Sequence, residues 1–200
     1  MGLSWEQLPI LIKAQAVMLA VIVLGTSVVV NLALPRGYER VPFAIPAAEY
    51  AQAPWESEVA AFGGKVSEAF GVRRTTAEEF AGWILEAAAR QQLEPELLAS
   101  LVHTESTFRK VAFSPVGAVG PAQVRPNFWS RFCGASDLLD PAENIYCGAQ
   151  VLSHFRDRCG DDRCALEAYN IGMHSQRLQA AQRYVAKIDR ARSRLSELAL

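Results

Sequence analysis

The stretch Leu98-Ala99-Ser100-Leu101-Val102-His103-Thr104-Glu105-Ser106-Thr107-Phe108 reads as a helix that carries a carboxylate at its end. Glu94-Pro95 opens it, because proline is tolerated in the first turn, where its missing N–H would have no helical partner. Leu97, Leu98, Leu101 and Val102 supply an apolar face at helical spacing. Glu105 follows directly on that face and precedes a loop, which allows its carboxyl to point into a cleft. From Ser114 to Pro126 the chain carries Pro115, Gly117, Gly120, Pro121 and Pro126, too many helix breakers for anything but an ordered loop. Gly117 and Gly120 are expected to supply positive φ and a close backbone approach to a ligand.

Outward from this centre the pattern stays helical. Thr76-Ala77-Glu78-Glu79 has the form of a capping box, followed by Phe80, Trp83, Ile84 and Ala87 at helical spacing. A helix is expected from Trp55 to Phe70, broken at Gly63-Gly64. Asp140-Pro141 opens another that runs to about Arg156, with Asp140 as N-cap and Ile145, Ala149 and Leu152 inward. Cys159 to Cys164 reads as a turn, and Ala165 to Tyr169 as a short helix ending near Gly172. A last helix spans about Ser175 to Leu198, with Leu178, Ala181, Val185, Ile188, Ala191, Leu195 and Leu198 on one stripe. No convincing period-2 stretch appears, so the expected class is mainly α.

The amino-terminal part differs in kind. Residues 14–34 hold no Asp, Glu, Lys or Arg. As a helix they would be about 31 Å long at roughly 1.5 Å per residue, against a bilayer core of about 30 Å. A single transmembrane helix is the favoured reading. A cleaved secretory signal and a buried core helix are the alternatives. The first is disfavoured by the length of the run and the poor cleavage site before Pro35, the second by the lack of a polar face. Pro35, Pro42, Pro46 and Pro54 make residues 35–54 an extended linker. Residues 1–34 would then be a stub and anchor, and residues 55–200 the folded domain.

The chain has 200 residues and a formal net charge of -1, which argues against a dedicated nucleic-acid binder. Lys13 before the run, against Arg36 and Arg40 after it, mildly favours a cytoplasmic carboxyl side. The four cysteines argue for an oxidising, extracytoplasmic compartment. Cys133, Cys147, Cys159 and Cys164 lack the spacing of a zinc site. Cys159 and Cys164 flank a turn, so a local disulfide is expected there, leaving Cys133 for Cys147; four buried free thiols are the alternative. The three histidines are scattered, with no H-E-x-x-H, so neither metal nor cofactor is expected. The arginines of the last helix (Arg177, Arg183, Arg190, Arg192 and Arg194) read as a solvated face.

Several segments resemble the lytic transglycosylases of the soluble-transglycosylase (SLT) type. The 98–108 stretch is similar to the helix bearing that family's Glu-Ser pair. Ala112 and residues 114–124 are similar to its A-x-S-x-x-G-A-x-G-L-M-Q loop. Asp140-Pro141-Ala142-Glu143-Asn144-Ile145 with Gly148 and Leu152 is similar to D-P-x-x-N-I-x-x-G-x-x-x-L. Residues 165–172 are similar to A-L-x-A-Y-N-x-G, and Tyr184-Val185 to a closing Y-V. The resemblance covers about residues 76–190. It implies a lysozyme-like helical domain that cleaves the MurNAc–GlcNAc backbone of peptidoglycan strands.

The resemblance also implies roles. Glu105 would be the catalytic acid and then base. Ser106 would orient it, and Ser114, Gly120, Gln123, Tyr169 and Asn170 would line the saccharide site, with the Tyr169 hydroxyl near Glu105. A transglycosylase needs no second carboxylate, because the C6 hydroxyl of MurNAc attacks its own anomeric carbon and leaves a 1,6-anhydro end. Asp137, Asp140 and Glu167 are the carboxylates that a water-using, lysozyme-type hydrolase would recruit. A glycan-binding module without catalysis is the remaining alternative. Pro121-Ala122 replaces the family's Leu-Met, and a roomier or differently filled cleft is expected at Ala122. Wall turnover, or a part in a larger secretion or phage-entry assembly, would each suit a membrane-tethered enzyme of the periplasm or of a virion.

Overall fold

The structure is a computed structural model that describes residues 5–33, 54–134 and 137–198. Contacts divide the chain into two units, residues 1–51 and 52–200. In the first, a short turn at Trp5–Gln7 precedes helix α1, Ile10–Ala33. The helix begins four residues before the apolar run, because the Pro9 carbonyl accepts from the amides of Ile12 and Lys13 and starts the ladder. Its window Ile10–Ser27 is long and apolar enough to cross a membrane, and none of that window is buried. The Thr26 hydroxyl donates back to the carbonyls of Ile22 and Val23, at 2.9 and 3.0 Å, so it carries no unmet polarity. The expected linker falls, but for Pro54, outside the described residues, as does Leu34 at the end of the expected anchor.

The second unit contains α2 (Trp55–Phe70), α3 (Arg74–Gln91), α4 (Pro95–Ser106), α5 (Pro126–Cys133), α6 (Pro141–Cys159), α7 (Asp162–Ile171) and α8 (Leu178–Glu197). No strand occurs among the described residues; two isolated bridges, Phe113 to Val119 and Val119 to Val124, hold the loop after α4. Helix α4 is the centre. Every residue from Leu97 to Val102 is buried, so it is enclosed on all sides rather than on one face. It packs on α3 and α8, while α6 joins α3 to α7 and α2 lies against α3. Phe80, Ile84, Leu98, Leu101, Ile145 and Ile188 meet in this core with no exposure.

Four local expectations are corrected. Helix α2 runs unbroken through Gly63 and Gly64. A β-carbon on Gly63 would lie 2.7 Å from the Glu78 backbone, so this glycine allows two helices to touch rather than breaking one. The capping box is not used. Helix α3 already begins at Arg74, so Thr76 lies inside its first turn; Glu78 instead pairs with Arg74, and Glu79 with Lys110. Leu178 is exposed at the start of α8, while Ala181, Val185, Ile188, Ala191 and Leu195 are buried as read. The short helix at Ala165 begins three residues earlier, because the Asp161 side chain accepts from the Cys164 amide and caps it.

Helix α5 was not anticipated: Phe128, Trp129, Phe132 and Cys133 recur at helical spacing, but eight residues hold little more than one such repeat, and none of them is fully buried. It is held by the Cys133–Cys147 disulfide to α6 and by Trp129, which packs edge-on against Phe155 with ring centres 5.4 Å apart. The second disulfide joins Cys159 to Cys164, so both bridges have the connectivity expected from spacing. Asp140 caps α6, its Oδ1 accepting from the Glu143 amide at 2.9 Å.

Candidate active site

Helix α4 ends abruptly. Thr107 and Phe108 both adopt positive φ, at 53° and 59°. Two successive left-handed residues other than glycine cost on the order of 1 kcal/mol each or more. Phe108 compensates by burying its ring against Phe80, edge-on at 5.4 Å. Ser106 then faces the core, with its hydroxyl donating to the Val102 carbonyl at 3.2 Å. Glu105, about 100° round the helix from Ser106, is left half-buried at the wall of a cleft of about 190 Å³.

The cleft brings together Glu105, Ser114, Gln123, Tyr169 and Asn170, from α4, the following loop and the end of α7. Ser106 and Gly120 do not line it. Ser106 is a buried residue of the helix end, and Gly120 serves the loop's own fold. The Ser114 hydroxyl accepts from the Ala118 amide at 2.9 Å, and Gln123 Nε2 donates to the Gly120 carbonyl at 2.8 Å. These bonds leave the Ser114 hydroxyl proton and the Gln123 carbonyl oxygen for a ligand. Val151 and Trp129, which sequence reasoning missed, complete the wall.

Burial pushes the Glu105 carboxyl up to about 7, and the Tyr184 hydroxyl, donating to its Oε1 at 2.5 Å, acts in the opposite direction. Tyr184, not Tyr169, therefore holds the carboxyl. Tyr169 donates instead to the Ala122 carbonyl at 2.8 Å. Burial first, and then the Glu105 charge, hold both phenols well above their usual range, so both stay donors. Tyr184 was recognisable as a special position: it shares the buried stripe of α8 with Ala181 and Ile188, and a phenol on such a stripe needs a partner for its hydroxyl.

Asn144, also missed, fixes the loop. Its Oδ1 accepts from the Ala122 amide at 2.8 Å, and its Nδ2 donates to the carbonyls of Val119 at 2.8 Å and Leu138 at 3.0 Å. Fully buried, it is an amide with three protein partners. Gly120, at φ 73°, lies against it; a β-carbon there would come within 2.3 Å of the Asn144 amide carbon. The close approach that Gly120 permits is thus to α6 and not to a ligand. Ala122 is corrected in the same way. It is fully buried against Gly148, where an added β-carbon would stand 2.6 Å from its own, so its small size seats the loop on α6 and does not widen the cleft.

None of the other carboxylates considered reaches the cleft. Asp137 accepts from the Leu139 amide, Asp140 caps α6, and Glu167 pairs with Arg163 at 3.6 Å. Among the described residues that line the cleft, Glu105 is the one carboxylate. No group of three or more His, Cys, Asp or Glu among the described residues could hold a metal ion.

Removing the Tyr184 hydroxyl has a definite sign. The bond favours the ionised carboxylate, so Tyr184→Phe raises the Glu105 pKa further. If protonated Glu105 is the active form, the alkaline limb of the kcat/KM profile moves to higher pH. A limb that stays in place or moves down would separate Tyr184 from the titration.

A family model described as "Transglycosylase SLT domain" matches residues 82–191. The chain is 41% identical over 86 residues to a transglycosylase of Enterobacteria phage PRD1, covering 43% of this chain and 32% of that one. It is 32% identical over 97 residues to membrane-bound lytic murein transglycosylase F 1 of Alkalilimnicola ehrlichii, covering 45% of this chain and 19% of the relative. For membrane-bound lytic murein transglycosylase F of Pseudomonas fluorescens the identity is 31% over 107 residues, covering 50% and 21%. The chain thus spans a third or less of the length of these curated relatives. Among solved structures, an inactive variant of the lytic transglycosylase Slt from Pseudomonas aeruginosa is 26% identical with a TM-score of 0.42, covering 56% of this chain and 21% of that one.

Proposed function

The chain belongs to the transglycosylase SLT domain family, and from that premise we propose that it is a lytic transglycosylase that cleaves the MurNAc-β-1,4-GlcNAc bond of peptidoglycan. The observation that carries the reading is one carboxyl, raised to about 7 by burial, at the wall of a cleft whose described lining holds no second carboxylate. Near neutral pH such a group is protonated in a large fraction of molecules, as a general acid requires. Glu105 gives its proton to the glycosidic oxygen, and the bond from that oxygen to the anomeric carbon breaks. The C6 hydroxyl of the same MurNAc then bonds to that carbon, and its proton passes to the Glu105 carboxylate. Because nucleophile and electrophile share one sugar ring, the attack is effectively unimolecular. The acid is regenerated and no water is consumed.

Ser114, Gln123 and Asn170 are proposed to hydrogen-bond the sugar and its acetamido group. Tyr169 holds the loop through the Ala122 carbonyl beside them. Digestion of isolated peptidoglycan with mass analysis of the products tests the reading. Disaccharide-peptides lighter by one water than hydrolysed ones are expected; a population made mainly of reducing-end MurNAc would assign water as the acceptor and move the chain to the lysozyme type.

Helix α1 is proposed as a single-pass anchor that confines activity to the envelope side of the inner membrane, with the α2–α8 unit in the periplasm. Two of the relatives are named membrane-bound, and the two disulfides fit an oxidising compartment. Extraction of the full-length protein by carbonate alone, without detergent, would overturn the anchor. Service in a larger secretion or phage-entry assembly is consistent with a tether, and the phage relative is a transglycosylase.

A further inference from the structure

The arginines of α8 are not one uniform solvated face. Arg192 pairs with Glu94 and, at 3.7 Å, with Asp162. Lys187, Arg190 and Arg194 recur at i, i+3 and i+7, and no carboxylate pairs with them among the described residues. They converge instead on a groove of about 260 Å³ between α8 and the end of α4, closed on the α4 side by His103, Thr104 and Thr107. With Ala191 these make seven lining residues, and none is acidic. Like charges three and four residues apart on a helix repel, so the arrangement is stabilised by a counter-anion. His103 stacks on Phe70 with ring centres 4.1 Å apart, and its buried Nδ1 has no hydrogen-bond partner. The groove shares no lining residue with the Glu105 cleft, and His103 and Glu105, two residues apart, point to roughly opposite sides of α4.

We propose that this groove is a membrane-docking site that takes the phosphoryl headgroups of anionic lipids through Lys187, Arg190 and Arg194. Charge complementarity selects the partner: three unpaired cations in a shallow, acid-free groove fit an anionic leaflet. The proposal rests on the reading of α1 as a membrane anchor, which would keep such a surface at high local concentration. Its consequence is orientation. With the cationic side of α4 and α8 on the lipid, the cleft on the other side of α4 opens away from the bilayer, toward a glycan mesh.

The full-length protein is inserted into lipid nanodiscs of phosphatidylcholine, with or without a third of phosphatidylglycerol. Lysines are labelled with an amine-reactive reagent and quantified by mass spectrometry. At low salt, labelling of Lys187 is expected to fall by about threefold or more in the anionic discs and to recover in high salt as screening sets in. Lys65 and Lys110, which line no part of the groove, serve as internal references. The double variant Arg190→Gln/Arg194→Gln is expected to lose the protection while digesting solubilised peptidoglycan at the wild-type rate. Equal labelling of Lys187 in the two discs, or protection that survives in the double variant, overturns the docking site. Equal protection by inorganic phosphate in phosphatidylcholine discs would make it a free-anion site and overturn the lipid assignment. Failure to insert into discs of either composition would overturn the anchor, and the docking proposal with it, while leaving the activity reading to its own assay.

Discussion

Glu105→Gln is expected to lower peptidoglycan cleavage by about 10²–10⁴-fold, the usual span for loss of a general acid. The amide keeps the shape of the carboxyl, and its oxygen can still accept from Tyr184. It has no proton of suitable acidity to give the leaving oxygen. A stability measurement separates loss of chemistry from loss of fold, and the sign follows from the raised pKa. The stabilisation associated with Glu105 is fully present below its unfolded value near 4.5, and it is lost as pH rises through about 7, where the half-buried group must ionise. The neutral amide never ionises. The variant is therefore expected to melt no lower than wild type at pH 8, and above it if burial dominates. Activity within threefold of wild type would remove Glu105 from the mechanism; inactivity with a strongly lowered Tm at pH 8 would mean that the side chain was structural.

The second large effect is expected at Gly120→Ala. The new β-carbon would overlap the Asn144 amide, with contacts of 2.3 to 2.7 Å, and the residue must keep a φ of 73°. The left-handed conformation alone costs an alanine on the order of 1 kcal/mol. Displacing Asn144 puts at risk three buried hydrogen bonds, each costing about 1–3 kcal/mol if a partner is left unsatisfied. The expected loss is on the order of 3–5 kcal/mol, or roughly a 10 °C fall in Tm for a unit of this size. Gly117→Ala is the control. Its φ of 80° is similar, but nothing lies within 4 Å of the added carbon, so only the conformational cost of about 1 kcal/mol applies. Equal melting of the two variants would refute the Gly120–Asn144 contact.

The contrast between these two glycines also shows where sequence reading stops. Both were legible as positive-φ positions, because the Pro- and Gly-rich loop around them is a local signal. Which one carries a neighbour at 2.3 Å was not, since that neighbour lies 24 positions further on, in α6. The same limit explains Ala122. Its replacement of a family methionine was visible, but the direction of its side chain was set by Gly148, whose backbone approaches only after α6 packs on the loop. Helix α5 was passed over for a different reason: its apolar positions 128, 129, 132 and 133 share one side, but eight residues are too short a window for that period to stand out from the loop before it.

The sequence alone determined what depends on near neighbours along the chain. The proline start of α4 and the Asp140 cap of α6 are set within one turn of the helix, and an apolar run the length of a bilayer core is a property of consecutive residues. The disulfide partners, five and fourteen positions apart, are nearly as local. The tertiary structure decided the environment of Glu105. Its partner Tyr184 lies 79 positions away on α8, and α4 had to be enclosed by α3 and α8 before the carboxyl lost its water and its pKa could rise. Local order follows from torsional preference and side-chain spacing, whereas desolvation and the choice of hydrogen-bond partner exist only once distant segments have excluded solvent from the space between them.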